Sequence, residues 1–307
     1  MDVSIVIVSY NTREFLRSCL ASIYEHTRGI EFEIVVVDNA SSDGTPDMVA
    51  AEFSQATLVR RLTNAGFAAG VNQGIARARG DAFYILNPDS QILANILPPM
   101  LDYLRAHENI GILAPKLLDA DGTLQLSCRA FPDFGTALFN RYSLATKFLP
   151  NNPRSRRYLM SDFDHNHIAT VDWVSGAAWL LPRRAYEAVG ALDEAYFWSI
   201  EDVDYCLRLH RAGYRIVYFP AAEVVHHIGR SAAGVPARAI TARHRGMWRY
   251  YRSYLRPKAP LLRPIVDTAV VVGIAMRGAA QLIVGALKRR LSKAGPRAEP
   301  SVPVERV

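Results

Sequence analysis

The stretch VSIVIVSYNTREFLRSCLASIYEHTRGIEFEIVVVDN, residues 3–39, decides the fold. Residues 3–8 form an apolar, mostly β-branched run that stops at Ser9-Tyr10-Asn11, which predicts a buried strand. Phe15, Leu16, Cys19, Leu20 and Ile23 then recur at helical spacing within residues 13–24. A second apolar run, residues 33–37, ends at Asp38. Strands without polar alternation, separated by a helical crossover, are the pattern of a parallel sheet covered on both faces.

The alternation continues downstream. Residues 39–44 read as a turn, and Thr45 as the cap of a short helix with Pro46 in its first turn. Residues 58–62 read as a third strand, 66–78 as a helix of small residues, 82–86 as a strand and 93–107 as a helix. Residues 116–171 break the pattern. They carry an Asp121-Gly122 hairpin turn, then a long irregular insertion rich in Pro, Arg, Asn and Asp. Regular patterning resumes with a strand at 174–181, helices at 183–189 and 201–212, and a strand at 215–219. The expected class is α/β, a Rossmann-like, mostly parallel sheet flanked by helices.

Composition bounds the rest. The chain has 307 residues, 50% of them hydrophobic, which suits one large α/β domain with an appendage. Cys19, Cys128 and Cys206 are far apart and sit among apolar residues. That pattern argues against a disulfide framework or a structural zinc site and fits reduced thiols in the cytosol. The N-terminal run has no basic segment before it and reads as a strand rather than a signal peptide, so a cytoplasmic body is expected. Residues from 236 onward hold 15 Lys/Arg and 3 Asp/Glu, a net of +12, which leaves −5 for residues 1–235 within the total of +7. A basic tail on an acidic body predicts contact with something anionic.

Ligands of open parallel sheets gather at the carboxyl ends of the strands, so the residues just after each strand are the candidates for a site. Ser9-Tyr10-Asn11 come after the first strand, Asp38 after the second, and Asn87-Pro88-Asp89 after the strand at 82–86. Asp38 is placed either to accept a hydrogen bond from a base or ribose or to hold the 39–44 turn. Asp89 is placed either to hold a Mg²⁺ or Mn²⁺ against phosphates or to cap a helix. Gly66, Gly70 and Gly74 recur every four residues, the spacing of a helix face packed closely on the sheet. They do not form a GxGxxG turn, which disfavours an NAD-dependent oxidoreductase. Glu201, Asp202 and Asp204 open a helix after an aromatic segment. Such a carboxylate suits a general base, with a Ser199–Asp202 capping pair as the structural alternative. Asp204 and Arg208 have the spacing of a helical ion pair. His226 and His227 are adjacent and suit a metal or phosphate contact.

The ordered series VSIVIVSYN, EIVVVDNASSDGT, NAGFAAGVNQGIARARGDAFYILNPDS and VSGAAWLLPRRAYEAVGALDEAYFWSIEDVDYCLRLHRAGYRIVYFPAAEVVHHIGRS resembles glycosyltransferase family 2, of the GT-A fold, in its rhamnosyltransferase-like branch. The resemblance spans residues 1–235. It implies that Ser9 and Tyr10 belong to the donor pocket, with Tyr10 against the base. Asp38 would bind base or ribose, and Asn64, Asn72 and Asn87 would complete that pocket. Asp89 and His226 would hold the metal, Asp202 would be the catalytic base with Glu201 beside it, and Trp173 and Gly176 would line the acceptor side. Asn87 departs from the pattern, because it stands where the family's metal motif has its first acid. The implied reaction is an inverting transfer from a nucleoside diphosphate sugar, L-rhamnose from dTDP-rhamnose being the sugar suggested and other hexoses staying open. The implied acceptor is a glycan or lipid-linked glycan of surface polysaccharide synthesis. The alternative from another class is a nucleotide-sugar-binding module without catalysis, against which Glu201, Asp202 and Asp89 all speak.

The remainder divides in two. Residues 236–293 are expected to be a basic, amphipathic helical appendage, and 294–307 a disordered tail. Residues 236–264 hold eight Arg/Lys and no acid, interleaved with Trp248, Tyr250, Tyr251 and Tyr254. Further on, Arg263, Asp267, Arg277, Gln281 and Lys288 fall within about 80° on a helical wheel, a polar stripe on an otherwise apolar helix. Charges at the centre of a membrane span are costly, so an interfacial helix on an anionic membrane is favoured over a span. The expected location is cytoplasmic, peripheral on the inner face of the cell membrane. A homodimer is the competing use of the tail. No nucleic-acid-binding motif accompanies the basic residues, so no nucleic-acid partner is expected.

Overall fold

The computed structural model describes residues 1–133, 152–227 and 236–293. The 294–307 tail, and part of the expected irregular insertion, lie outside the described residues. The chain runs β1 (Val3–Ser9), α1 (Arg13–His26), β2 (Phe32–Asp38), α2 (Thr45–Glu52), β3 (Thr57–Arg60), α3 (Phe67–Ile75) and β4 (Ala82–Leu86). It continues through β5 (Ser90–Ile92), α4 (Leu97–Ala106), β6 (Ile110–Leu118), β7 (Leu124–Gln125), β8 (Cys128–Arg129), α5 (Pro153–Leu159), β9 (Ala169–Val171), β10 (Trp173–Val174) and β11 (Ala178–Pro182). It ends with α6 (Arg183–Val189), α7 (Glu201–Arg211), β12 (Arg215–His226), α8 (Pro236–Tyr250) and α9 (Arg263–Lys293).

The main sheet has the strand order β3-β2-β1-β4-β11-β6-β12-β5, with β7 added on β6 and β9 on β12. Strands β3, β2, β1 and β4 are parallel neighbours, as are β6 and β12, while β11 lies antiparallel between β4 and β6. Because side chains alternate along a strand, β1 feeds two cores. Val3, Ile5 and Ile7 pack with Leu16, Leu20 and Met100 on one face. Val6 and Val8 pack with Val71, Ile85 and Tyr205 on the other. The glycines of α3 do what their spacing predicts. A Cβ on Gly70 would come within 2.5 Å of Val8 Cγ1, and one on Gly74 within 2.4 Å of Val6 Cγ1. The helix can lie this close to the sheet only with hydrogen at those positions.

Several expected elements differ in detail. Gly44 (φ +82°) rather than Thr45 occupies the cap position of α2, because the turn needs a left-handed residue there. The expected helix at 93–107 begins later, since residues 90–92 pair with β12 as strand β5. That pairing also removes the cap role for Asp89. The strand expected at 174–181 is two pieces, β10 and β11. The strand expected at 215–219 runs on to His226, past a register shift between Phe219 and Glu223. The hairpin forms as expected at Gly122 (φ +82°), whose N–H donates to the Asp119 carbonyl at 2.9 Å.

Helices α8 and α9 pack on one another, and α8 packs on the body through Arg238, Arg243 and Arg249. Asp267 of α9 accepts from Tyr251 Oη at 2.7 Å and pairs with Arg256, and Gly278 lies against the His244 ring. The polar stripe of α9 thus faces the protein. Ile265, Val272, Met276 and Ile283 are 71%, 49%, 68% and 60% exposed. They fall within about 40° of one another on the opposite side of the helix. Residues Pro260–Gly285 are long and apolar enough to cross a membrane, with a mean hydropathy of 1.6.

Candidate active site

The carboxyl ends of β1, β2 and β4 meet the start of α7 around a cleft of about 240 Å³. Backbone strain collects there. Asn11, Ala40, Ser199 and Ile200 all have positive φ, and Ile200 (φ +80°) is β-branched. Left-handed conformations of this kind cost about 1–3 kcal/mol each and persist only where surrounding packing imposes them.

The acidic end of the cleft is Glu201 and Asp202, both of which line it. The strained Ser199-Ile200 turn delivers them at the first turn of α7, where no side chain caps the helix, so the Ser199–Asp202 capping pair does not form. Asp202 Oδ1 accepts from Val203 N at 2.9 Å, and its Oδ2 accepts from Gly176 N at 3.4 Å. Burial raises the Asp202 carboxyl above its ordinary range, and the backbone donors at Val203 and Gly176 pull the other way. Glu201 is buried, and its Oε2 has no hydrogen-bond partner among the described residues. Burial first, and then the charge of Asp202, push Glu201 up to about 8. Burial thus raises both neighbours, and the Asp202 charge adds to the rise at Glu201; a pair of carboxyls set apart by their surroundings is the arrangement that suits acid–base work. Asp204 belongs to the scaffold. It accepts from Arg208 Nε at 2.9 Å, Tyr196 Oη at 3.2 Å and Tyr254 Oη at 2.7 Å.

Asn87 lines the cleft, and behind it lies a polar knot. His226 Nε2 lies 3.5 Å from Asp89 Oδ1 and 3.2 Å from Asn87 Nδ2. Its Nδ1 is 2.7 Å from Gln125 Oε1. Asp89 and His226 are both buried, at the ends of β4 and β12. The Asp89 carboxylate oxygen and the His226 imidazole nitrogen are donors that suit Mg²⁺ or Mn²⁺, so the residues present fit a divalent cation. Among the described residues no three His, Cys, Asp or Glu side chains converge, a consequence of Asn87 standing in place of an acid. His227 points elsewhere, its ring 5.5 Å from Phe15.

The remaining expected residues sort clearly. Ser9, Tyr10, Asn64, Asn87 and Gly176 line the cleft. Asp38 lies just behind it, its Oδ2 accepting from Ser41 N at 3.1 Å and its buried Oδ1 without a protein partner among the described residues. Asn72 is not brought to the cleft. Its amide is used by the chain near α6, donating to the Leu192 carbonyl and to Glu194 and accepting from Leu192 N, each at 2.9 Å. Trp173 is also elsewhere, its indole N–H donating to the Ala130 carbonyl at 2.8 Å. Residues not anticipated are Asn39, which donates to the Gly66 carbonyl at 2.9 Å, and Phe197, Trp198 and Ala239, all lining the cleft. Ala239 comes from α8. That helix also sets Arg238 over the Phe197 ring at 4.4 Å and Arg243 over the Trp198 ring at 4.9 Å. The Tyr-Phe-Trp run at 196–198 was a signal in the sequence, but its arginine partners are distant in the chain.

Residues 4–145 match the family model described as Glycosyl transferase family 2. An N-acetylglucosaminyl-diphospho-decaprenol L-rhamnosyltransferase of Mycobacterium tuberculosis is 31% identical over 255 residues, covering 80% of this chain and 82% of the relative. A low-salt glycan biosynthesis hexosyltransferase of Haloferax volcanii is 24% identical over 230 residues, 74% of this chain and 67% of its own. Among solved structures, the mannosyltransferase of Pyrobaculum calidifontis in complex with GDP-Man and Mn²⁺ superposes with a TM-score of 0.56 at 19% identity, over 96% of this chain and 76% of its own. The α/β sheet with its flanking helices is that of the GT-A fold.

Proposed function

The chain belongs to glycosyl transferase family 2 and is a nucleotide-sugar-dependent glycosyltransferase, and we propose that it transfers L-rhamnose with inversion to a lipid-linked sugar acceptor. The observation that carries the reading is the Glu201-Asp202 pair lining the cleft, both carboxyls raised by burial and delivered by a strained turn. The choice of rhamnose, and of a diphospho-lipid-linked N-acetylglucosamine as acceptor, rests on what the mycobacterial relative's name says of that protein.

Asp202 accepts the proton of the acceptor hydroxyl as its oxygen forms a bond to the anomeric carbon. The bond from that carbon to the diphosphate oxygen breaks, and the nucleoside diphosphate leaves. The backbone donors at Val203 and Gly176 hold the Asp202 carboxylate in place. Tyr10, Asn64 and Asp38 bind the nucleoside, and Glu201 donates a hydrogen bond to a sugar or acceptor oxygen. Asp89 and His226 would hold a Mg²⁺ or Mn²⁺, with Asn87 beside them. When bound, such an ion neutralises charge on the diphosphate leaving group.

The direct test is incubation with dTDP-rhamnose and a panel of other nucleotide sugars, with and without Mn²⁺, in the presence of a polyprenyl-diphospho-N-acetylglucosamine. Asp202→Asn is expected to lower turnover by about 10²–10⁴-fold with donor affinity retained. Unchanged turnover in that variant would overturn the base assignment.

The outward apolar face of α9 and the basic α8 lead us to place the protein peripherally on the inner face of an anionic membrane, where a lipid-linked acceptor would be presented.

A further inference from the structure

We propose that Gln125 is a positioning residue that holds His226 in its Nδ1–H tautomer and so keeps the Nε2 lone pair turned toward Asp89 and Asn87. Gln125 ends the short strand β7, set antiparallel against β6 with Leu117 as its partner, and only 8% of it is exposed. The Asp121-Gly122 turn delivers it there. Its amide nitrogen donates to Asp119 Oδ1 at 2.7 Å and to the His226 carbonyl at 3.0 Å. Both partners are oxygens that accept, so the nitrogen end of the amide is fixed by its surroundings. The oxygen end therefore faces the ring, 2.7 Å from Nδ1. An amide oxygen has no hydrogen to give, so Nδ1 must carry one.

In a neutral imidazole the lone pair is then on Nε2, which lies 3.2 Å from Asn87 Nδ2. Asn87 can donate to that lone pair. The opposite tautomer would set an Nε2–H against the Asn87 N–H and leave Gln125 Oε1 facing a bare nitrogen. The hydrogen bonds of Gln125 to Asp119 and to the His226 carbonyl thus select one tautomer, Asn87 Nδ2 can donate to it, and it is the one in which Nε2 can ligate a cation. Asp119 acts behind Gln125 by fixing which way the amide turns.

The inference rests on the reading that His226 belongs to a divalent-cation site, and the test separates the two. The ¹⁵N spectrum of the full-length protein, taken above the ordinary histidine titration range, is expected to show Nδ1 protonated and Nε2 bare for His226. Gln125→Met should lose that pattern and weaken binding of Mn²⁺ alone, measured by electron paramagnetic resonance, by about 10–100-fold. A wild-type spectrum with Nε2 protonated overturns the inference, as does a Gln125→Met protein with the wild-type pattern and wild-type Mn²⁺ affinity. His226→Ala addresses the other reading. If it leaves Mn²⁺ binding unchanged, the cation assignment fails, while the Gln125 role is still decided by the ¹⁵N pattern.

Discussion

At the residue scale the site depends on a few atoms whose environments differ from their chemistry in water. Glu201 is the clearest. Its carboxyl ordinarily titrates near 4.5, and burial with the Asp202 charge raises it to about 8. Between those values the folded chain keeps a proton that the unfolded chain has released, so stability falls as pH rises through that window. Glu201→Gln cannot release the proton. Its stability relative to the wild type should therefore increase between about pH 5 and about pH 8, as read by urea unfolding at each. An equal difference at both pH values would refute the raised carboxyl. Asn87 offers a second test. Its amide occupies a place where a carboxylate would add charge to the Asp89–His226 pair. Asn87→Asp should tighten Mn²⁺ binding on the order of tenfold, because ligand charge tunes the affinity of hard-cation sites. Titration of Mn²⁺ into both proteins reads the effect, and weaker binding in the variant would contradict it. Of these residues, Asp202, Asp89 and His226 were legible in the sequence because each lies just beyond, or opens, a recognisable element. Asn72 and Trp173 misled, since a polar or aromatic residue near a site can equally satisfy a neighbouring backbone group.

At the element scale the notable contact is between α8 and the strained turn. A Cβ on Gly246 would lie 3.3 Å from Ile200 Cγ1, from the Ser199 carbonyl oxygen and from Tyr196 Cδ1. With Arg238 on Phe197 and Arg243 on Trp198, α8 clamps the segment that carries Asp202. Gly246→Val should push the helix off the turn, since overpacking of this kind costs about 1–3 kcal/mol. The expected result is lower turnover with the circular dichroism of the sheet and helices retained. Wild-type turnover would show that the clamp has no part in setting the base. This contact was not legible, because nothing in local periodicity says which loop a downstream helix will cover.

At the scale of the whole molecule, α9 turns an apolar face outward. Its polar stripe meets α8, and Asp267 pairs with Arg256 and Tyr251. The side turned outward is apolar, and Arg245 and Arg249 of α8 are exposed near it in the chain. Full-length protein should float with anionic liposomes, and recovery should fall at high salt and in a variant with Ile265, Val272 and Met276 all changed to Ser. Loss of a dimer in that variant, with flotation unchanged, would assign the face to self-association instead.

The alternation of strands and helices, the close α3–sheet contact through Gly70 and Gly74, and the family were all written in the order of the residues. These are local or ordered properties: side-chain periodicity sets the element, and missing Cβ atoms set its approach. Only the tertiary structure decided that Gln125 stands behind His226, that Asn72 serves the scaffold, and that the C-terminal helix α8 walls the cleft. Those facts depend on which hydrogen-bond partner and which apolar surface meet after the sheet has closed, and residues as far apart as Gln125 and His226 carry no mark of it in their neighbours. The pair that opened the site, Glu201 and Asp202, belongs to both. The sequence placed two acids at a helix start, and burial in the folded cleft raises both carboxyls, with the Asp202 charge adding to the rise at Glu201.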